Sequence, residues 1–170
     1  MRVILYRHGP AAARDPERWP DDAVRPLTSM GAQLTRATAG GLARVEPGIQ
    51  DVLSSPSARA TQSARVLADV LGTGEVEVVS ELGAGCALGE MLRFLSARVS
   101  DRNLVLVGHE PDLGVLAGYL LFGSPMGLPL KPSGACSIRF DGMAREGTGR
   151  LRWFMTPKLL RYASTSRRRA

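Results

Sequence analysis

The sequence predicts an α/β protein, a single three-layer α/β/α sandwich around a mostly parallel central sheet. Short apolar segments alternate along the chain with longer amphipathic ones. Residues 104–107 (LVLV) are uninterrupted by polar side chains, which is typical of a strand covered on both faces. The length of 170 residues suits one domain with one hydrophobic core, and 44% of the residues are hydrophobic.

The chain is predicted to begin with a buried strand over residues 2–6, followed by a polar, proline-rich loop over residues 10–26. Thr28 is the predicted N-cap of a helix over residues 29–45, and the glycines at 40 and 41 weaken the end of that helix.

A second strand is predicted over residues 51–54. Ser55 is the expected N-cap of the helix that follows, with Pro56 at its first helical position and Gly72 near its end. The inner face of this helix would carry four apolar side chains, Ala60, Ala64, Leu67 and Leu71.

The second half of the chain continues the alternation. We predict a strand over 76–79, a helix over 88–99, the strand over 104–107, a helix ending near 122, and strands over 135–140 and 150–155. The last two strands alternate in polarity and are predicted to form a hairpin near a sheet edge.

The net charge of +6 does not indicate nucleic-acid binding, because most of it lies near the C-terminus. Residues 158–170 carry no acidic residue, and Tyr162 is the one aromatic side chain there that could stack on a base. We expect a domain over residues 1–157, a frayed basic tail over 158–170, and no nucleic-acid partner. The basic residues of this segment are Lys158, Arg161, Arg167, Arg168 and Arg169.

The protein is expected to be cytoplasmic. No apolar run approaches the ~20 residues of a membrane span, so no membrane partner is predicted. The apolar start over residues 1–6 is too short for a signal peptide. Cys86 and Cys136 lie far apart without metal-ligand spacing, and both are expected to be buried, reduced thiols.

Each of the two histidines follows a predicted strand at its carboxyl end. His8 comes after the first strand and one arginine, and His109 comes after the 104–107 strand and one glycine. Ligands of open α/β sheets bind beyond the carboxyl ends of the strands. We therefore expect the two histidines to share a functional site.

The residues around the histidines favour a phosphate ligand. Arg7 precedes His8, Arg59 lies near the start of the second predicted helix, and guanidinium groups bind phosphate oxygens through paired hydrogen bonds. The helix start adds unpaired N–H groups, and Gly9 would let the backbone approach a ligand closely. A divalent metal is not expected, because the arginines repel a cation and no carboxylate cluster lies beside His8.

Four segments, in this order, resemble the histidine phosphatase superfamily. They are Arg7-His8-Gly9, Arg25-Pro26-Leu27-Thr28, Ser54-Ser55-Pro56 followed by Arg59 and Thr61, and Gly108-His109. The short chain and its ending, Trp153-x-Met155-x-Pro157-x-x-Leu160, resemble the smallest branch, the SixA-type phosphohistidine phosphatases. The resemblance covers nearly the whole chain and implies a phosphoglycerate mutase-like fold.

The resemblance also implies roles for individual residues. His8 would be phosphorylated on a ring nitrogen during turnover, and Arg7, Arg59 and His109 would complete the phosphate pocket. Arg25 would lie at the rim and contact phosphate or substrate. No metal or cofactor is implied. His109 would be most useful as a protonated donor, a state that nearby arginines oppose and bound phosphate favours.

The proton donor stays open among three carboxylates. Larger members of the superfamily carry a glutamate in an insertion after the third strand, and this chain has no such insertion. Glu81 comes from that region, Asp22 lies three residues before Arg25, and Glu110 directly follows His109. Asp22 is taken as the candidate catalytic acid. Glu110 is taken as a substrate contact, and it also suits the positive end of a helix dipole.

A weak proton donor predicts a phosphohistidine-bearing protein as substrate, because imidazole leaves far more readily than an alkoxide. The short loop after His8, without an evident lid, also favours a protein-borne phosphate. The expected function is a metal-independent phosphatase with a phosphohistidine enzyme intermediate, whose pocket holds phosphate or another oxyanion. The alternatives are a phosphomonoesterase of small phosphate esters and a non-catalytic phosphate-binding module.

Overall fold

The computed structural model describes residues 1–98 and 102–165 of the chain. Its strands are β1 (Arg2–Arg7), β2 (Asp51–Ser54), β3 (Val76–Val78), β4 (Leu104–Gly108), β5 (Ala135–Arg139) and β6 (Arg150–Met155). Its α-helices are α1 (Ser29–Val45), α2 (Ala58–Leu71), α3 (Leu88–Ala97), α4 (Asp112–Phe122) and α5 (Pro157–Thr165).

The strands form one sheet in the order β3-β2-β4-β1-β5-β6. The first four of these run parallel, whereas β5 pairs antiparallel with β1 and β6 pairs antiparallel with β5. The mostly parallel sheet and the antiparallel hairpin at its edge are therefore confirmed.

Helices cover both faces of this sheet. Along β1, Val3 and Leu5 pack into a core shared with α3 and α4, whereas Ile4 and Tyr6 pack into a second core shared with α1, α2 and α5. Successive residues of a strand point to opposite faces, and because helices cover both faces, all four side chains are fully buried. The three-layer α/β/α sandwich that the sequence predicts is thus confirmed.

The helix starts agree with the prediction in one case and differ in another. Thr28 caps α1 by accepting a hydrogen bond from the backbone N–H of Gly31 at 2.9 Å. The predicted start of α2 at Ser55 and Pro56 is wrong, because the N-cap is Ser57 and the helix begins at Ala58. Ser55 still belongs to the sheet, where its N–H donates to a β4 carbonyl at 2.9 Å.

The C-terminal segment packs against α1, so the prediction of a frayed tail is wrong for residues 158–165. These residues lie in α5, and the side chain of Leu160 is fully buried against α1. Gly41 permits the approach, because a Cβ atom at this position would lie 1.8 Å from the Leu160 carbonyl oxygen. Residues 166–170 of the predicted tail lie outside the described residues.

Smaller differences concern a strand end, a helix end and one cysteine. β3 ends at Val78, one residue before its predicted end at 79. α3 ends at Ala97, and its predicted end at residue 99 lies outside the described residues. Both cysteines are free thiols, but Cys86 is partly exposed and only Cys136 is buried as predicted. No helix in the described part of the chain is long and apolar enough to cross a membrane.

A buried carboxylate joins the end of α1 to the sheet. Glu46 is fully buried and accepts hydrogen bonds from Ser137 Oγ at 2.8 Å and Trp153 Nε1 at 2.9 Å. Its other oxygen forms an ion pair with Arg2 at the start of β1. A charge this deep is stable only when it is paired and hydrogen-bonded, so these contacts fix α1 against β1, β5 and β6.

Candidate active site

The two histidines are brought together by the pairing of β1 with β4. Arg7 lies opposite Gly108 in the parallel register, and His8 and His109 are the next residues of the two strands. The backbone N–H of His8 continues the ladder by donating to the Gly108 carbonyl at 3.1 Å. The centroids of the two imidazole rings lie 5.1 Å apart, close to the ~4.8 Å between neighbouring strands.

The ring of His8 is held in one tautomer by its neighbour. Nδ1 lies 2.7 Å from the carbonyl oxygen of Gly9, and because a carbonyl only accepts, Nδ1 carries the proton. Nε2 then keeps its lone pair. Burial lowers the pKa of His8 to about 4. The hydrogen bond to the Gly9 carbonyl raises this pKa, whereas the charges of Arg59 and Arg7 lower it further. His8 is therefore a neutral imidazole at pH 7, and the lone pair of its Nε2 is free of a proton.

His109 is 4% exposed and uses its Nε2 within the protein. That atom lies 2.8 Å from Ser55 Oγ and 3.1 Å from Ser57 Oγ. Burial lowers the pKa of His109 to about 3, and the positive charge of Arg59 acts in the same direction. Burial, His8 and the arginines thus favour a neutral His109, whereas the predicted protonated ring depends on bound phosphate.

Two arginines supply positive charge beside the histidines. Arg59 is 5% exposed and donates to the backbone oxygen of Asp22 at 2.6 Å, and Arg7 donates to the carbonyl of Leu130 at 2.8 Å. The Nε atoms of both arginines are buried and lack a hydrogen-bond partner within the described residues. Buried N–H groups without partners are costly, so this arrangement suits an oxyanion that accepts from them.

Asp22 is ionised and paired with the arginines, which argues against its prediction as a proton donor. Its carboxylate lies 2.9 Å from Arg59 Nη2 and 2.8 Å from Arg25 Nε. The hydrogen bond from Arg25, followed by the charges of both arginines, lowers the pKa of Asp22 to about 2. The group therefore carries no proton to donate at neutral pH.

Arg25 is joined to Arg59 through the carboxylate of Asp22. In addition to its contact with Asp22, it donates to the carbonyl of Ala12 at 2.6 Å. Its positive charge contributes to the lowered pKa of His8, after burial and the two other arginines. The guanidinium thus adds to the positive field of the site while it holds the loop before α1.

Gly9 serves packing, in contrast to the predicted close approach of its backbone to a ligand. Its N–H donates to Ser63 Oγ at 3.0 Å and is therefore already used. A Cβ atom at this position would lie 2.3 Å from Thr35 Oγ1 of α1. Glycine is required here because α1 and Ser133 pack closely against the residue after His8.

The two remaining carboxylates lie in different surroundings. Glu110 is half-buried, burial raises its pKa, and the charge of Arg7 acts on it in the opposite direction. Glu81 accepts a hydrogen bond from Ser80 Oγ at 2.8 Å and lines a surface cavity with Cys86. Glu81 is thus not brought to the histidines. In the described residues, no three His, Cys, Asp or Glu side chains are grouped so that they could hold a metal ion.

Sequence reasoning missed three serines that support the site. Ser55 and Ser57 contact His109, and Ser63 links the N–H of Gly9 to the Arg59 carbonyl, to which it donates at 2.7 Å. For Ser55 and Ser57, the available signal was the group of three serines within residues 54–57, at the end of a strand. Ser55 was interpreted as a helix cap, and no sequence signal singled out Ser63.

Comparisons with known proteins agree with this geometry. The family model for branch 1 of the histidine phosphatase superfamily matches residues 3–85. The phosphohistidine phosphatase SixA of Escherichia coli is 31% identical over 168 residues, which cover 96% of this chain and 98% of that protein. An uncharacterised protein of Picosynechococcus is 36% identical over 148 residues, which cover 85% of this chain and 88% of that protein.

A solved structure shows the same fold. The histidine phosphatase SixA in complex with tungstate superposes with a TM-score of 0.81 at 30% sequence identity, and the match covers 94% of this chain and 99% of that one. The chain belongs to the histidine phosphatase superfamily, a family of phosphatases.

Proposed function

We propose that this chain is a metal-independent phosphatase that removes phosphate from phosphohistidine in proteins, with His8 as its nucleophile. The observation that carries the proposal is the Nδ1 contact of His8 with the Gly9 carbonyl at 2.7 Å. This contact leaves Nε2 of His8 unprotonated beside the guanidinium groups of Arg7 and Arg59. The proposed nucleophile and the groups that would bind an oxyanion therefore lie in one place.

The proposed reaction has two steps. Nε2 of His8 attacks the phosphorus atom in line, a new P–N bond forms, and the bond from phosphorus to the leaving group breaks. Water then attacks the phosphohistidine and releases inorganic phosphate and the imidazole of His8. Arg7 and Arg59 donate to the phosphoryl oxygens in both steps and stabilise the negative charge of the transition states.

The ionised state of Asp22 supports the choice of a phosphohistidine substrate. An ester leaves as an alkoxide and gains much from a proton donor, whereas the imidazole of a phosphohistidine is a better leaving group. A carboxylic acid whose pKa is about 2 cannot supply that proton at pH 7. The likeness to SixA, at 31% identity along nearly the whole chain, supports the same substrate class.

The similar SixA structure is a complex with tungstate, which supports an oxyanion as a ligand of this chain as well. Tungstate is a tetrahedral oxyanion, as phosphate is, and it would accept hydrogen bonds from the Nε atoms of Arg7 and Arg59. We therefore expect tungstate to inhibit this protein in competition with substrate.

A trapping experiment tests the nucleophile. The protein is incubated briefly with a ³²P-labelled phosphohistidine protein, denatured in base, and assayed for phosphate that is stable in base and released by acid. Wild type is expected to carry the label and His8→Ala to carry none. A wild type without label would contradict the covalent intermediate. Label that persists in the variant would contradict the role of His8.

A second experiment tests the substrate class. We compare kcat/KM for a phosphohistidine protein with values for a panel of sugar and nucleotide phosphates. Faster turnover of the panel would favour the phosphomonoesterase alternative, in which Glu110, whose pKa burial raises, would be the carboxyl to test as proton donor. Oxyanion binding without turnover of either class would favour the non-catalytic alternative.

A further inference from the structure

We propose that Ser55 and Ser57 are positioning residues that fix the neutral tautomer of His109, so that its Nδ1–H donates to the phosphoryl group. Both hydroxyls contact the same ring nitrogen, Nε2, at 2.8 and 3.1 Å. His109 and both serines are buried, so water does not compete freely for these contacts. The proposal deepens the proposed function and rests on it, because it assigns the second histidine its working state.

In this proposal the Ser55 hydroxyl donates to Nε2 of His109. Ser55 Oγ accepts the backbone N–H of Ser57 at 3.3 Å, so one of its lone pairs is already used. The shortest contact of this hydroxyl is with Nε2 of His109. A hydroxyl that donates to Nε2 requires a lone pair there, and in a neutral imidazole the proton then resides on Nδ1.

The position of Ser57 adds to this reasoning. It is the N-cap of α2, yet its side chain makes none of the capping hydrogen bonds that serines in this position usually make. Its oxygen instead lies 3.1 Å from His109 Nε2 and 3.3 Å from Ser55 Oγ. The hydroxyl thus contacts the histidine in place of the helix end.

This arrangement removes a conflict in the electrostatics of the site. Burial disfavours the protonation of His109, and so do His8, Arg59 and Arg7. Asp22 favours it, with an effect smaller than that of Arg59 and larger than that of Arg7. A neutral ring nevertheless donates a hydrogen bond if its proton is held on Nδ1. In the described part of the chain, Nδ1 of His109 has no hydrogen-bond partner, so it is available to a phosphoryl oxygen.

Nitrogen NMR of ¹⁵N-histidine-labelled protein at pH 7 tests the tautomer directly. The chain has two histidines, and His8→Asn assigns the signals. For the wild type we expect a protonated Nδ1 and an unprotonated Nε2 on His109. In the double variant Ser55→Ala/Ser57→Ala we expect the proton to redistribute toward Nε2. A wild-type His109 protonated on Nε2, or a tautomer unchanged in the variant, would overturn the proposal.

Kinetics provide the second readout. We expect the double variant to lose about 10- to 100-fold in kcat/KM, by analogy with the cost of removing the group that orients a metal-bound imidazole. Ser54→Ala is the matched control, because Ser54 is equally buried but its hydroxyl donates to the Ser55 carbonyl at 2.8 Å. The control should keep the wild-type tautomer, and an equal redistribution there would overturn the specific role of the two serines.

The two readouts separate this proposal from the proposed function. The NMR measurement needs no turnover, so a protein that forms no phosphoenzyme can still show the expected tautomer. If the double variant does not fold, Ser55→Ala alone and the wild-type tautomer decide the question, because the shorter contact belongs to Ser55.

Discussion

Replacing Asp22 with asparagine should strengthen the binding of oxyanions. In the folded protein, the Asp22 carboxylate occupies Arg59 Nη2 at 2.9 Å and Arg25 Nε at 2.8 Å. A phosphate or tungstate ion that binds Arg59 must compete with this carboxylate and also approach its negative charge. An asparagine side chain in its place would be a weaker competitor, because its amide carries no charge.

The size of the effect follows from the exposure of the two partners. Ion pairs with exposed partners contribute about 0.2–1 kcal/mol, and solvent screens Asp22, whose side chain is 36% exposed. Because the Arg59 side chain is only 6% exposed, we place this pair at the upper end of the range. About 1 kcal/mol corresponds to a roughly fivefold decrease in the inhibition constant.

The assay is competitive inhibition by tungstate at pH 7, with a calorimetric Kd as an independent value. Asp21→Asn is the matched control. It removes the same charge one residue away, from a carboxylate that accepts the Ala23 N–H at 2.8 Å and forms no arginine pair in the described residues. An inhibition constant for Asp22→Asn that equals or exceeds the control value would refute the reasoning. A loss of kcat by about 10²–10⁴ would instead restore Asp22 as proton donor.

Three further outcomes are expected. The NMR signals of His8 and His109 should titrate near pH 4 and pH 3, and titration near pH 6.5 would contradict this. Because the histidines of the unfolded chain take up protons near pH 6.5, the urea midpoint should decrease as the pH falls below that value. Gly41→Ala should lower the free energy of unfolding, measured in urea, by about 1–3 kcal/mol. Gly40→Ala, whose Cβ would lie 3.5 Å from its nearest neighbour, should raise it by about 0.5–1 kcal/mol. Equal effects of the two substitutions would argue against the α1–α5 contact. Glu46→Gln should lower the free energy of unfolding by about 1–3 kcal/mol, because the amide oxygen still accepts from Ser137 and Trp153 but the ion pair with Arg2 is lost; an unchanged midpoint would contradict the role of that ion pair.

The positions of the two histidines were predictable because they depend on a local pattern. A buried strand that ends in a short polar motif places that motif at the edge of the sheet, so His8 and His109 could be assigned to one site. Arg59 was predictable for a similar reason, since it follows a strand and begins a helix. In each case the residue and the feature that positions it are close together in the sequence.

The errors concern contacts between distant segments. Ser55 satisfies the local rule for a helix cap, but its hydroxyl binds His109, 54 residues away. Asp22 resembles a loop acid in the sequence, and its pairing with Arg59, 37 residues away, becomes visible only in the folded chain. The charges after residue 157 suggested a solvated tail. Leu160 nevertheless packs against α1, because the glycine at position 41 leaves room for its backbone.

The separation of the two imidazoles is set by a count of residues. The register pairs Val3 with Leu104 and Arg7 with Gly108, so both strands reach the site over equal numbers of residues. One residue added to β4 alone would displace its histidine by about 3.3 Å and turn it to the opposite face of the sheet. Loops of this protein can therefore change in length without altering the separation of the two imidazoles, whereas β1 and β4 must lengthen or shorten together.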